Sequence, residues 1–212
     1  MDGLNLYANE FLTVFILTLI VIVIPGPDFL IVVKNSLTRS RISGIYTALG
    51  IATAVWVHII YSLMGLALII SRNPNIYNII KYLGVCYLIY LGIQCLFMKK
   101  NIEGDADTHV AVSHFDSFKM GFVNNALNPK ATIFFLSLFT QVVNFSTPIS
   151  LKILYGLTVS LTCLIWFSLV AYLLNHRVVK DCFFYAQNLI IKFLGFGLLL
   201  YALKTVFEDI VK

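Results

Sequence analysis

The stretch VIVIPGPDFLIVV, residues 21 to 33, interrupts an apolar run with Pro-Gly-Pro and a carboxylate. Proline removes a backbone amide and crowds the preceding helical turn, and glycine adds flexibility, so Pro25, Gly26 and Pro27 predict a local break in a helix. Asp28 follows the break directly, and an ionisable group is costly at membrane depth unless it faces protein or water. The stretch therefore predicts a broken helix with a polar interior face.

The composition around this stretch is that of an integral membrane protein. Of the 212 residues, 59% are hydrophobic and only 12% are charged, and the mean hydropathy is +0.89. A helix needs roughly 20 apolar residues to cross a hydrocarbon core of about 30 Å. Apolar runs of this kind predict six transmembrane helices, near 11–33, 44–70, 76–98, 119–143, 151–174 and 183–206. The runs lack the alternation of barrel strands, so the predicted fold class is all-α.

The ends and loops of the chain predict its orientation. The first apolar run is expected to stay as a membrane span, because its start, MDGLNLYANEF, carries acids where a signal peptide has basic residues. Lys and Arg are more numerous in the first, third and fifth loops, for example at Lys34, Arg39 and Arg41, than on the opposite side. The positive-inside rule places these loops in the cytoplasm and both termini outside. This bias and contact with anionic lipid explain the net charge of +5 without nucleic acid as a partner.

Two segments about half the chain apart resemble each other. KYLGVCYLIYLGIQCLF begins at Lys81 and KFLGFGLLLYALKTVF begins at Lys192, and lysine, aromatic, leucine and glycine match in order. The interpretation is two repeats of three helices, 1–98 and 119–212, joined by a polar cytoplasmic loop at 99–118. Because three crossings is an odd number, the second repeat would be inverted relative to the first. The alternative is a chance likeness between membrane helices rich in leucine and glycine.

If the halves are related, the fourth span should also be broken. Its sequence, GFVNNALNPKATIFFLSLF, interrupts an apolar run with the polar and helix-breaking residues Asn124, Asn125, Asn128, Pro129 and Lys130. Pro27-Asp28 and Pro129-Lys130 are then equivalent dipeptides of opposite charge. Since ionisable groups and freed carbonyls avoid lipid, both breaks are predicted to face the bundle interior and each other.

Together the two breaks predict a binding site for a small zwitterion. Its predicted residues are Pro25, Gly26, Pro27, Asp28, Asn124, Asn125, Asn128, Pro129 and Lys130. Asp28 and backbone carbonyls would bind an α-ammonium group, while Lys130 and half-helix N-termini would bind an α-carboxylate. The alternative is that Asp28 and Lys130 only neutralise each other and hold the halves together. An ion pair that opens around a ligand would combine both roles.

Proton coupling has two candidates, Asp28 and His58. His58 lies mid-span in AVWVHIIYS, where a proton relay and a hydrogen-bonded packing histidine are both open interpretations. No metal site or cofactor is predicted, because the acids and histidines of the central loop lack ligand spacing. The cysteines have no CxxC spacing and are interpreted as packing residues: Cys86, Cys95, Cys163 and Cys182.

The segments PGPDFLIVVKNSLTRSRISGIYTALGIA and GFVNNALNPKA, with six short spans, resemble the LysE/RhtB family of bacterial amino-acid exporters over essentially the whole chain. PGPDF and IWFSLVAYLL look most like the threonine and homoserine efflux branch. The resemblance implies proton-driven efflux of a neutral amino acid across a bacterial inner membrane, without ATP. Relatives in the wider superfamily handle basic amino acids or metal ions, so export of another such solute is the alternative.

Other functional classes find less support in the sequence. An intramembrane enzyme is not expected, because the spans have no GxSxG, HExxH or paired catalytic carboxylates. An ATP-dependent pump is not expected, because the chain has no P-loop. A structural or accessory subunit would have little reason to place a carboxylate and a lysine beside helix breaks. A channel would show flux without proton coupling. A homodimer is compatible with the sequence, which identifies no interface.

Overall fold

The computed structural model describes residues 2–72, 74–97, 113–144, 146–174 and 177–210. These residues form eight helices and no strand, so the predicted all-α class is confirmed. The helices are α1 (Asp2–Val23), α2 (Pro27–Thr38), α3 (Arg41–Arg72), α4 (Pro74–Phe97), α5 (His114–Ala126), α6 (Pro129–Gln141), α7 (Ile149–Leu173) and α8 (Arg177–Ile210).

Several helices are long and apolar enough to cross a membrane. Within the described ranges there are five such segments: Asn5–Val23, Arg41–Met64, Asn78–Phe97, Ile149–Leu173 and Leu189–Phe207. The span predicted near 119–143 instead forms α5 and α6, with 13 residues each. At 1.5 Å per residue each is about 20 Å long, which is shorter than a hydrocarbon core of about 30 Å. The chain is thus a multi-pass membrane protein that also contains short half-helices.

Two helix boundaries fall on the proline motifs. α1 ends at Val23 and α2 begins at Pro27, with Gly26 in an extended conformation between them (φ −162°, ψ −173°). α5 ends at Ala126, and α6 begins at Pro129. Proline suits the first position of a helix, because the amide it lacks would have no partner inside the helix. Each proline motif therefore ends one helix and starts the next.

α3 lies at the centre of the bundle and packs against α2, α5, α6 and α7. The crossing of α3 and α5 is very close, since a Cβ at Gly50 would meet the carbonyl of Phe118, and one at Gly121 would meet the carbonyl of Thr47. Only glycine permits such an approach of two backbones. The crossing holds the C-terminal end of α5, which carries the asparagines, against the core.

α4 packs against α6 and α8. Its outer face and that of α8 expose large apolar side chains such as Leu83 and Phe193, which suits contact with lipid.

The C-terminal end of the polar loop predicted at 99–118 is helical in the structure. α5 begins at His114, and the hydroxyl of Ser113 caps it by accepting the amide of Asp116 at 3.0 Å. Most of the predicted loop lies outside the described residues.

Candidate functional site between two helix breaks

Asp28 lies in the first turn of α2, where the break directs its carboxylate toward the second break. Three asparagine side-chain amides donate to it: Asn124 to Oδ1 at 2.8 Å, and Asn125 and Asn128 to Oδ2 at 2.9 and 3.1 Å. Hydrogen bonds to an ionised acceptor are the stronger kind. The three amides can therefore hold a partly buried carboxylate in its charged form.

The turn between α5 and α6 brings these asparagines together. Asn124 and Asn125 lie in the last turn of α5, and Asn128 is the N-cap of α6. The Asn128 side chain has two roles, because its Oδ1 accepts the backbone amide of Lys130 at 2.9 Å while its Nδ2 donates to Asp28. Asn128 thus ties the start of α6 to the start of α2.

Lys130 reaches across to the first break. Its Nζ donates to the carbonyls of Val21 at 3.3 Å and Ile24 at 3.1 Å. In an uninterrupted helix the Val21 carbonyl would accept from residue 25, but Pro25 has no N–H. Gly26 leaves room for the lysine, since a Cβ there would lie 3.2 Å from Nζ. The ammonium therefore satisfies carbonyls that the Pro-Gly-Pro break leaves open.

The two charged groups interact crosswise. Asp28 of the first break binds amides of the second break, while Lys130 of the second break binds carbonyls of the first. Within the described chain, the carboxylate and the ammonium share no direct hydrogen bond or ion pair. Asp28 and Lys130 are thus linked indirectly, through amides and carbonyls of the two breaks, and not by the direct pair that the sequence left open.

A cavity lies beside these charged groups and their partners. Its polar lining includes Asp28, Asn125, Asn128 and Lys130. Most of the remaining wall is apolar and comes from five helices, with Val21, Ile22, Ile24, Phe29, Ile51, Val55, Ala131, Phe134, Phe135, Val159 and Phe167. Asn125 is 3% exposed, and its Oδ1 is buried without a partner among the described residues. An apolar pocket with a few convergent polar groups is the usual form of a small-molecule site.

The predicted site residues divide between the cavity wall and the turns around it. Gly26 and Pro27 line the cavity together with the four polar residues above. Pro25 lies in the first break, and Pro129 starts α6 at the second. Asn124 donates to Oδ1 of Asp28. The structure thus brings the two predicted breaks into one site.

His58 is fully buried next to this site. Its Nε2 lies 3.0 Å from the carbonyl of Asn125, and its Nδ1 lies 2.8 Å from the hydroxyl of Tyr61. Because a carbonyl only accepts, Nε2 carries a proton, and in a neutral ring Nδ1 then accepts from Tyr61. The ring also stacks on Phe135, at 5.3 Å between centroids. These contacts hold the end of α5, and they reach Asp28 only through Asn125.

Some residues of the site carry no signal in the sequence. Tyr87 of α4 donates to the carbonyl of Lys130 at 3.0 Å and so supports the start of α6. Cys163 of α7 lies in the cavity wall. Both belong to unbroken apolar runs, where nothing local separates a site residue from a packing residue. Their roles depend on how the helices pack.

Comparison with known proteins gives the family of this chain. The family model described as LysE type translocator matches residues 19–208, which include both breaks. The chain belongs to the LysE family. The resemblance noted in the sequence is thereby confirmed. No solved structure matches this member of the LysE family.

Several curated relatives of this LysE family chain are named for efflux. A leucine efflux protein of Salmonella typhimurium is 33% identical over 60% of this chain and 60% of its own length. A threonine efflux protein of Salmonella typhi is 32% identical over 76% of this chain and 80% of its own. The uncharacterized membrane protein YrhP of Bacillus subtilis is 29% identical over 87% of this chain and 92% of its own.

Proposed function

We propose that this LysE family protein is a secondary transporter that exports a neutral amino acid by exchange for protons. The observation that carries the proposal is the crossed arrangement of Asp28 and Lys130 in one cavity. It presents opposite charges to a ligand from two facing helix breaks, as the α-ammonium and α-carboxylate of an amino acid require. Efflux relatives in the same family support the direction of transport.

The unused hydrogen-bonding capacity of the site suits a zwitterion. Lys130 uses two of its three N–H groups on backbone carbonyls, so one is left for a carboxylate. The partnerless Oδ1 of Asn125 and the Asp28 carboxylate are acceptors for an ammonium group. A buried acceptor without a partner is costly, and a ligand that donates to it removes that cost. The substrate backbone is therefore recognised at the breaks.

The wall of the cavity favours an aliphatic substrate side chain. Its aromatic and branched residues, such as Val159 and Phe167, offer no polar partner. The hydroxyl of Thr18 is already donated to the carbonyl of Val14 at 2.7 Å. Leucine is thus the first substrate to test and threonine the second, which reverses the order suggested by the PGPDF motif. A basic side chain would need a second acid, and Asp28 is the one carboxylate in the described wall.

Proton exchange follows if Asp28 binds either a proton or the substrate ammonium. The carboxylate accepts substrate from the cytoplasm, releases it outside and returns with a proton. His58 then acts by positioning Asn125, since its ring nitrogens are both engaged. One proton enters for each amino acid that leaves by this route.

The same proposal includes an inverted repeat with six crossings. The first and fourth crossings are the broken pairs α1–α2 and α5–α6. α3 packs against α7 and α4 packs against α8, and in each pair the two helices hold equivalent positions in the two proposed repeats. Alternating access would then rock one half against the other, in a bacterial inner membrane with both termini outside.

The test is efflux of radiolabelled leucine, threonine and lysine from vesicles that contain the purified protein, with and without an imposed proton gradient. Gradient-dependent loss of leucine is expected, with weaker loss of threonine and none of lysine. Asp28→Asn and Lys130→Ala should each abolish it. Thr158→Val is the control, because this exposed hydroxyl bonds only its own helix at the Leu154 carbonyl. Leucine efflux that survives both site substitutions would overturn the proposal.

A further inference from the structure

A second buried carboxylate lies far from the breaks, in the N-terminal half of α1. Glu10 is 4% exposed. It accepts from the backbone amide and the side chain of Asn144, at 3.0 and 2.8 Å, and from the hydroxyls of Thr147 and Tyr155, at 2.9 and 3.1 Å. A buried charge needs such partners, and an ionisable group at membrane depth points to a function. We call Glu10, Asn144, Thr147 and Tyr155 the Glu10 cluster.

A buried stripe of α7 connects this cluster to the cavity. Tyr155, Val159, Cys163, Phe167 and Ala171 follow at intervals of four residues and are all buried, so they form a continuous stripe that winds around the helix. The middle three line the cavity. α1 continues in the same way from Glu10 to Thr18 in the cavity wall, about 12 Å along the helix. The Glu10 cluster therefore closes the seam between α1 and α7 at one end of the cavity.

A different contact holds the opposite end of this stripe. The hydroxyl of Ser36 in α2 donates to the carbonyl of Ala171 at 2.6 Å. The packing there is tight, since a Cβ at Gly44 would lie 2.7 Å from the Cβ of Ala171 and 2.9 Å from that of Ser36. α7 is thus held to α1 and the α6–α7 loop at one end, and to α2 and α3 at the other, with the cavity between the two.

We propose that these contacts are the two gates of the transporter, with the Glu10 cluster as the latch on one side and the Ser36–Ala171 bond as the latch on the other. The inference rests on the proposed transport function. Release of either latch frees one end of α7, while the other latch keeps the cavity closed to the opposite side. In the proposed orientation the Glu10 cluster is the outer latch and Ser36 the inner one.

Cys163 provides the readout, because it lies in the cavity and is only 5% exposed. A variant that keeps Cys163 and replaces the other cysteines with alanine would be labelled in vesicles of defined orientation, with a membrane-impermeant thiol reagent added to either face. Glu10→Gln keeps the shape of the side chain but replaces one acceptor oxygen with an NH₂ group, which cannot accept from the donors of Asn144, Thr147 and Tyr155. It should speed labelling from the outer face at least tenfold and leave the inner face unchanged. Ser36→Ala should speed labelling from the inner face and leave labelling from the outer face unchanged.

Ser160→Ala is the matched control. It removes a 2.8 Å hydrogen bond from α7 to the Ala52 carbonyl of α3, at neither end of the cavity, and should change labelling from neither face. Tyr155→Phe removes one hydroxyl from the cluster and takes the place of Glu10→Gln in the labelling experiment if that variant does not fold. Unchanged labelling in the latch variants, or faster labelling from both faces, would overturn the two-gate proposal and leave the cluster a structural cap. Protection of Cys163 by leucine in the variant that keeps only this cysteine, with both latches intact, tests the proposed substrate separately, so either idea can fail alone.

Discussion

The ammonium of Lys130 donates to the carbonyl of Val21, 109 residues earlier in the chain. That carbonyl is open because the residue four positions later is a proline. A lysine at the second break therefore completes the hydrogen bonding of the first. The relationship explains why the two breaks belong together, since carbonyls left open by the first break accept from a side chain of the second.

Lys130→Met should uncouple the two breaks. It keeps the aliphatic stem but leaves the Val21 and Ile24 carbonyls without their donor. Loss of hydrogen bonds from a charged group costs about 1.5–3 kcal/mol, so we expect a lower melting temperature of the purified protein and loss of leucine efflux. Lys130→Arg, which keeps the charge, should recover stability better than activity. A methionine variant as active as the parent would contradict this role.

The three asparagines around Asp28 should differ in importance. Removing any one of them by substitution with alanine weakens a charge-assisted hydrogen bond, at a cost of about 1–3 kcal/mol. Asn128→Ala should destabilise most, because it also removes the N-cap of α6, which is worth about 1 kcal/mol. Asn124→Ala should destabilise least, because Asn124 is only partly buried, so the oxygen that it leaves is the least costly to expose. Thermal unfolding of the single variants measures the order, and an equal loss in all of them would count against it.

Gly26→Ala should separate activity from stability. The backbone at Gly26 is extended and accepts any residue, so the folded state should lose less than about 1 kcal/mol. The new methyl group, however, would lie 3.2 Å from Nζ and 3.3 Å from Cδ of Lys130, so the ammonium would shift by a few tenths of an ångström. Leucine efflux is expected to fall roughly tenfold. The pair of measurements is efflux and melting temperature, and a full loss of folding would refute the explanation.

Gly121→Ala should prevent correct packing of α5 on α3. Its Cβ would overlap the carbonyl of Thr47, and backbone cannot move as a side chain can. We expect destabilisation of about 3 kcal/mol or more and poor recovery of monodisperse protein. Gly197→Ala is the matched control, since the nearest atom to its Cβ is 4.0 Å away, on Ile20. Equal recovery of the two variants would show that the close crossing is not required.

The sequence was a good guide where local chemistry decides the structure. Pro25, Pro27 and Pro129 break helices through their own geometry, so both breaks could be predicted. The need to shield Asp28 and Lys130 from lipid also predicted that the breaks face the interior. The partners of these charges could not be predicted, because amides and carbonyls become available only when two distant turns meet.

The burial of Glu10 could not be predicted from the sequence, for the same reason. In the sequence it is one acid near the start of an apolar run, and its charge only argued against a signal peptide. Its burial depends on Asn144, Thr147 and Tyr155, which lie in another part of the chain. The pattern of apolar residues in α1 does not indicate those contacts. Long-range hydrogen bonds of this kind need the packed structure to be seen.

The most direct test of the account is a simultaneous record of substrate and proton movement. Vesicles that contain the protein would be loaded with radiolabelled leucine and a pH-sensitive dye, and diluted into leucine-free buffer without an imposed gradient. We predict that the lumen acidifies as leucine leaves, and that both signals vanish in Asp28→Asn. Leucine that leaves at the parental rate without a change in luminal pH would contradict the exchange of substrate for a proton at Asp28.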